Sequence, residues 1–355
     1  MRSPGAQGHR AVIRDPYPVR VTRPLVVAHR GASGYRPEHS AEAFRLAARL
    51  GADMLEPDVV STRDGVLVLR HENEISGTTD VASRPALADR RTTKEVDGQP
   101  VTGWFTEDLT WDELSQLTVR ERMPRLRQAS ATFDGRLGML RLVDLLDILD
   151  ETGLGMVVEM KRATHFAGLG LPLDELLADV LRDRGWASTP DRLVVEAFEQ
   201  DVLHRLRARG IDGRYVYLLE RSGAPADVVA RLGSAAPTYA SQLGDDGLRA
   251  IAAAGLDGIS VAKDVLLREG RDGVRATDLV DRGHAAGLLV LAWTLRPENR
   301  FLATPHRRGR SQADWGDWMT EWDILLRTGV DGVFADHPDL ARLAVDRAAG
   351  ASRIG

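Results

Sequence analysis

Short apolar runs alternate with longer amphipathic stretches along most of the chain. Nine runs of four to seven residues are rich in Val, Ile and Leu, and most precede a stretch whose apolar positions recur with helical periodicity. The predicted strands are residues 25–29, 54–60, 66–71, 156–160, 193–198, 215–219, 258–261, 288–293 and 332–335. The clearest predicted helices are residues 40–50, 140–151, 173–184, 200–209 and 245–254, the first with Ser40 as its N-cap.

Near-continuous hydrophobic strands that alternate with helices indicate a parallel sheet covered on both faces. A closed β/α barrel has eight strand positions, whereas the pattern offers nine candidates. Residues 61–65 are too few for a parallel crossover, and Asp64-Gly65 is a hairpin turn signal. We therefore expect the α/β class and a (β/α)8 TIM barrel that departs from the regular pattern near its second and third predicted strands. Either one of these two segments is antiparallel, or the barrel is distorted there.

The stretches that interrupt the alternation of predicted strands and helices indicate the domain organisation. Residues 1–24 form an N-terminal extension that mixes Arg, Pro and Gly, and residues 25–345 form a single catalytic barrel domain. Residues 72–139, which follow His71, are mostly polar, with one short helical run at 107–117. That length predicts an insertion, either a small subdomain or a cover for the active site.

Composition narrows the chemistry and the partners. The 355 residues carry a net charge of −5 and no cysteine, which disfavours nucleic acid as a partner and excludes disulfides and thiolate ligands. No apolar run approaches the roughly 20 residues of a membrane span, and no signal peptide is recognisable. We expect a soluble protein without stable membrane insertion, cytoplasmic by default, with export still open. The oligomeric state is not predicted.

Polar residues stand where several predicted strands end, and in a barrel such ends converge on one mouth. The first group is His29-Arg30-Gly31, which offers a proton carrier and a rigid fork for phosphate. In the second, Glu56 and Asp58 share a face of one strand, which is costly in an apolar run unless a cation neutralises them. The structural alternative for His29 is a hydrogen-bonded histidine of the core. For Glu56 and Asp58 it is an edge strand whose two acids are exposed to solvent.

The third group is Glu159-Met160-Lys161, where the two charged residues again share a face. The chain has three lysines among 47 basic residues, so a lysine here suggests a compact charge for a phosphate oxygen. A structural Glu–Lys pair is the alternative. His71 ends another predicted strand beside the paired acids, and Trp293 is a weaker candidate that could equally cap the core.

In this order, the motifs resemble those of the glycerophosphodiester phosphodiesterase family. The match spans roughly residues 25–340 and consists of His29-Arg30-Gly31, Pro37-Glu38-His39-Ser40, Glu56-Pro57-Asp58, His71-Glu72, Glu159-Met160-Lys161, Trp293-Thr294 and Asp331-Gly332-Val333-Phe334-Ala335-Asp336. Three positions depart from the usual pattern, namely His39 for Asn, Ser40 for Thr and Glu72 for Asp.

The resemblance implies a barrel enzyme that hydrolyses a small-molecule phosphodiester to glycerol 3-phosphate and an alcohol. It implies one divalent cation held by Glu56, Asp58 and Glu159, and general acid/base roles for His29 and His71. It also implies phosphate contacts from Arg30 and Lys161, with Glu38 and Trp293 as substrate-binding residues. An all-oxygen ligand set selects a hard cation, Ca²⁺ or Mg²⁺.

Two other functions remain open from the sequence. One is a lipid phosphodiesterase of the same fold, similar to sphingomyelinase D, which would require an apolar rim that the sequence lacks. The other is a non-catalytic glycerophosphodiester-binding protein, which would need the phosphate clamp but not two histidines at the mouth.

Overall fold

The computed structural model describes residues 23–96 and 98–351 of the chain. The strands in these ranges are β1 (Leu25–His29), β2 (Met54–Glu56), β3 (Asp58–Ser61), β4 (Leu67–Leu69), β5 (Thr92–Val96), β6 (Gln99–Gly103), β7 (Gly155–Met160), β8 (Leu193–Ala197), β9 (Arg214–Leu219), β10 (Gly258–Ala262), β11 (Leu267–Gly270), β12 (Gly273–Ala276), β13 (Leu289–Leu295) and β14 (Gly332–Ala335).

The helices of the same ranges are α1 (Ala41–Arg49), α2 (Trp111–Leu114), α3 (Gln128–Ala131), α4 (Leu142–Thr152), α5 (Ala163–Gly168), α6 (Leu173–Asp183), α7 (Gln200–Ala208), α8 (Ala226–Leu232), α9 (Tyr239–Gln242), α10 (Asp245–Ala253), α11 (Lys263–Leu266), α12 (Leu279–Ala285), α13 (Trp318–Leu326) and α14 (Pro338–Ala351). Each of the five predicted helices is present to within two residues. Ser40 caps α1 as expected, because its side chain accepts a hydrogen bond from the Ala43 amide.

Eight parallel strands close into a barrel in the order β1, β2, β7, β8, β9, β10, β13 and β14, and β14 pairs with β1 again. The predicted TIM barrel is confirmed. Side chains alternate between its interior and its helix-covered face. On β7, for example, Val157 packs inside the barrel, whereas Met156 and Val158 pack against the helices. The next inward position on that strand is Glu159, which places its carboxylate at the mouth.

The predicted distortion lies at Pro57, which divides one continuous stretch into β2 and β3. Proline has no amide hydrogen for the ladder, so the pairing changes there. Beyond it, β3 stays parallel to β7 and takes on β4 as an antiparallel neighbour. The turn between β3 and β4 contains Gly65 with a positive φ of 79°. The expectation of one antiparallel segment is confirmed.

The inserted stretch after His71 is more ordered than its sequence suggests. It contains the antiparallel hairpin β5–β6 and two single-turn helices, and the predicted helical run at 107–117 is reduced to α2 and a preceding 3₁₀ turn at Thr106–Asp108. A second hairpin, β11–β12, was not predicted either. The division into a 1–24 extension, a 25–345 domain and a 72–139 insertion stays a prediction, and residues 1–22 lie outside the described ranges.

No helix among the described residues combines the length and the apolar character that crossing a bilayer requires.

Candidate active site

Five strands bring polar side chains to one layer at the mouth of the barrel. His29 is in register with Glu56 across β1 and β2, and Glu159 is in register with both Asp58 and Glu196 across β3, β7 and β8. His29, Glu56, Glu159 and Glu196 lie one alternation above the inward-facing apolar residues Val27, Met54, Val157 and Val194. All five side chains are almost fully buried. The strand register thus assembles a buried polar layer directly above the apolar core.

The centre of this layer is a cluster of three glutamates, Glu56, Glu159 and Glu196. One carboxylate oxygen from each lies within 4.8 Å of the other two. Burial and the neighbouring acids raise the pKa of Glu56 and Glu196 well above the usual range, and burial raises the pKa of Glu159 to about 8 against the opposing effect of Lys161. Such a cluster is stable in its charged form only beside a cation.

Asp58 lies at the edge of the cluster and faces cations of the protein. Its carboxylate is 3.2 Å from Arg30 Nε and 3.5 Å from Lys161 Nζ. Burial alone would raise the pKa of Asp58, but Lys161 and Arg30 hold it well below the usual range. The predicted ligand set of Glu56, Asp58 and Glu159 is therefore brought together, with Asp58 ion-paired and Glu196 as an additional carboxylate. Which three bind an ion stays a prediction.

Glu196 was missed by the sequence reasoning, although a signal was present. It is the single charged residue in the apolar run of residues 193–198. A lone acid in a buried strand of a barrel needs a partner, and here Glu196 Oε2 is buried without a hydrogen-bond partner among the described residues. This orphaned oxygen and the hard, all-oxygen character of the cluster fit a divalent cation such as Ca²⁺ or Mg²⁺.

Two histidines flank the cluster, and each is hydrogen-bonded to a carboxylate. His29 Nδ1 is 2.6 Å from Asp336 Oδ1, and His71 Nδ1 is 2.6 Å from Glu72 Oε1. A carboxylate at Nδ1 fixes the tautomer in which Nε2 carries no proton and is free to accept one. Burial and the nearby Arg30 lower the pKa of His29 to about 4 and that of His71 to about 3, so both rings are neutral at pH 7.

The turn after β1 holds Arg30 between acids. Arg30 has a positive φ of 59°, and its amide donates to Glu56 Oε2 at 2.7 Å while its guanidinium binds Glu38 Oε2 at 3.1 Å. Gly31 follows with a φ of 83°, where a Cβ atom would lie 2.7 Å from the Ala43 carbonyl carbon. The His-Arg-Gly sequence is thus explained by a tight turn packed on α1.

The remaining predicted residues line one side of the site. Lys161 Nζ binds Glu159 Oε1 at 2.7 Å and lies 5.5 Å from the centre of the Phe198 ring. The half-buried Trp293 packs edge-on against that same ring, with centroids 6.2 Å apart. Lys161 therefore contacts the carboxylate cluster directly, and Trp293 is linked to Lys161 through Phe198. Phe198 was not predicted as part of this wall.

The fold and the buried site at the carboxyl ends of its strands define a TIM-barrel protein with the arrangement of an enzyme. The sequence model of the glycerophosphoryl diester phosphodiesterase family matches residues 29–340. The glycerophosphodiester phosphodiesterase GDPD6 of Arabidopsis thaliana is 30% identical over 337 residues, which cover 90% of this chain and 85% of that protein. The chain belongs to this family, and the prediction of a phosphodiester hydrolase is confirmed.

A further relative and two solved structures are also similar to this chain. A glycerophosphodiester phosphodiesterase of Bacillus subtilis is 25% identical over 90% of this chain and 85% of its own. An Oleispira antarctica phosphodiesterase, solved with its product sn-glycerol-3-phosphate, superposes with a TM-score of 0.60 at 20% identity, over 91% of this chain and 97% of that one. A glycerophosphodiester phosphodiesterase of Agrobacterium tumefaciens gives 0.53 at 18% identity, over 89% and 98%. These two structures support the fold.

Proposed function

We propose that the protein hydrolyses glycerophosphodiesters to glycerol 3-phosphate and an alcohol, with one divalent cation and with His29 and His71 as the proton-transfer pair. The observation that carries this proposal is the presence of two histidines, each hydrogen-bonded to a carboxylate at 2.6 Å, beside a buried cluster of carboxylates. The product bound in the Oleispira antarctica structure is the one that this reaction would release.

The carboxylate cluster would hold the cation, with Glu56 and Glu159 as ligands together with Asp58, Glu196 or both. When bound, Ca²⁺ or Mg²⁺ would offset the negative charge that develops on the phosphate oxygens. Arg30 and Lys161 would contribute further positive charge to the phosphate. Both are buried and already paired with acids, so they are held in place before substrate arrives.

The two histidines would divide the proton transfers. One takes a proton at Nε2 from the attacking oxygen, which is either water or the glycerol 2-hydroxyl of the substrate. The other must enter the reaction with a proton on Nε2, a form that the negative charge of the bound phosphate would favour, and it donates that proton to the alcohol as its P–O bond breaks. Glu38 orients Arg30 through its bond to the guanidinium. The wall formed by Trp293 and Phe198 would contact the apolar part of the substrate beside Lys161.

Turnover measurements on the purified chain test this proposal. Glycerol 3-phosphate release from glycerophosphocholine would be followed with added Mg²⁺ or Ca²⁺ and again after chelation, in the wild type, His29→Ala and His71→Ala. His204→Ala on α7 is the matched control because it removes a histidine away from the mouth. We expect a 10²–10⁴-fold loss in each of the first two variants. Full activity in both would end the acid/base assignment, and full activity after exhaustive chelation would end the metal assignment.

A further inference from the structure

A short segment of the insertion contacts the carboxylates that are hydrogen-bonded to the two histidines. It runs from Arg122 to Arg127, and its two terminal arginines point to different carboxylates. These are the carboxylates that hold His71 and His29, respectively. The five-residue spacing therefore links both histidine–carboxylate pairs to one stretch of chain outside the barrel strands.

Arg122 binds the His71 side. Its guanidinium donates to Glu72 Oε1 at 3.0 Å and to Glu72 Oε2 at 2.6 Å, and it also contacts both carboxylate oxygens of Glu38 at 2.9 and 2.6 Å. A planar fork that engages both oxygens of a carboxylate fixes its orientation as well as its charge. Glu72 is about 30% exposed and sits on a loop, so its orientation depends on this arginine.

Arg127 binds the His29 side. Its guanidinium donates to Asp336 Oδ2 at 2.6 Å, to Glu298 Oε1 at 2.8 Å and to the Ser33 carbonyl at 3.1 Å. Asp336 uses its other oxygen for His29 Nδ1. Arg127 is almost fully buried, so its charge stays in place only because these acceptors surround it.

We propose that Arg122 and Arg127 are positioning residues with separate duties, in which Arg122 holds His71 through Glu72 and Arg127 holds His29 through Asp336. This inference rests on the proposed function of the two histidines. The physical basis is that a histidine transfers protons efficiently only when its ring is oriented and its tautomer is fixed, and a mobile carboxylate does neither. The inserted segment is then part of the catalytic assembly.

The test uses the leaving group to tell the two histidines apart. An aliphatic alcohol such as choline must be protonated as it departs, whereas a nitrophenolate departs without a proton. The histidine that acts as acid is therefore dispensable for the nitrophenyl ester of glycerol 3-phosphate, and the histidine that acts as base is required for both substrates. The ratio of kcat on the two substrates should differ between His29→Ala and His71→Ala.

Each arginine variant is expected to show the same ratio of kcat values on the two substrates as the variant of the histidine that it positions. We expect Arg122→Ala to lose about 10- to 100-fold in kcat with little change in KM, and to follow His71→Ala. Arg127→Ala should follow His29→Ala. Arg127→Lys, which keeps the buried charge but loses the fork, is measured in parallel in case Arg127→Ala does not fold. Arg125→Ala is the matched control, since Arg125 is exposed between the two and should leave both substrates unaffected.

The outcomes separate this inference from the proposed function. If both arginine variants lost activity equally on the two substrates, or if each showed the kcat ratio of the other histidine's variant, the positioning roles would be wrong. The histidine assignments would still stand. If both histidine variants kept full activity, or if they showed the same ratio of kcat values on the two substrates, the proposed function and the inference would both be wrong. Wild-type thermal stability in the Arg122 and Arg127→Lys proteins would show that the losses do not come from unfolding.

Discussion

His29 at the end of the first barrel strand and Asp336 after the last are joined by a 2.6 Å hydrogen bond, although 307 residues separate them in the chain. Closure of the barrel makes them neighbours, because β14 pairs with β1. Asp336 also binds Arg127 and Arg296 through its second oxygen. One buried carboxylate therefore connects the seam of the barrel, the inserted segment and a candidate catalytic histidine.

This relationship predicts the effect of Asp336→Asn. A carboxylate can only accept the Nδ1 proton, whereas an amide can present either its oxygen or its NH2 group to the ring. The ring of His29 would therefore lose its fixed tautomer, as in other histidine–carboxylate pairs. We expect kcat for glycerophosphodiester hydrolysis to fall roughly 10²–10⁴-fold with a small change in KM. Asp339→Asn, which removes an acid that binds Tyr35 in the same segment, serves as the control and should retain most of its activity. Similar losses in both variants would contradict a specific role for Asp336.

Much of this site could be predicted because strand alternation is a local property. The inward position of Glu159 follows from the apolar residues on either side of it, and the pairing of Glu56 with Asp58 follows from their spacing around Pro57. The break at Pro57 could also be predicted, since proline cannot continue a ladder. These features depend on a few neighbouring residues and on the shape of a barrel.

The rest could not be predicted because it depends on contacts between distant segments. Arg122 and Arg127 lie in a polar stretch with no periodicity, and their partners are up to 209 residues away. The hairpin β5–β6 could not be predicted, because its exposed strands have no alternation of apolar and polar residues. Glu196 could have been found from its isolation in an apolar strand, but its proximity to Glu159 becomes visible only once β7 and β8 are paired.

A second prediction concerns the turn that carries His29. Gly31→Ala would place a side chain at a φ of 83° and 2.7 Å from the Ala43 backbone, so it would incur both backbone strain and a steric clash. We expect the free energy of unfolding in urea to fall by about 2–5 kcal/mol. Gly135→Ala is the matched control, because Gly135 has a φ of 75° but no atom within 4 Å of the added Cβ, and it should lose only about 1–2 kcal/mol. Equal losses would contradict the clash.

A third prediction is a pH dependence of stability from His337. This ring is buried against Tyr35 and Trp315, and burial together with Arg127 lowers its pKa to about 4. The unfolded chain takes up the proton near pH 6.5 but the folded chain does so only near pH 4, so the contribution of the neutral ring to stability is lost as the pH falls through that window. At pH 5 the loss is about 1–2 kcal/mol.

Urea unfolding of the wild type and of His337→Gln at pH 7 and pH 5 measures this contribution. Other buried histidines act in the same direction, so the informative quantity is the difference between the two pH dependences. We expect the variant to be less stable at pH 7 and to lose less on acidification. Parallel changes in the two proteins would show that His337 does not bind a proton differently in the folded and unfolded states.

The last prediction addresses the carboxylate that the sequence reasoning overlooked. If Glu196 contributes to the cation site, Glu196→Gln should weaken Mg²⁺ or Ca²⁺ binding at least 10-fold in calorimetric titration, because one of the clustered negative charges is lost. The metal-free variant should also unfold at a higher temperature than the metal-free wild type, since a buried repulsion is removed. Glu220→Gln removes an acid at the end of the neighbouring strand β9 and should change neither quantity. Unchanged affinity in Glu196→Gln would instead favour the ligand set of Glu56, Asp58 and Glu159.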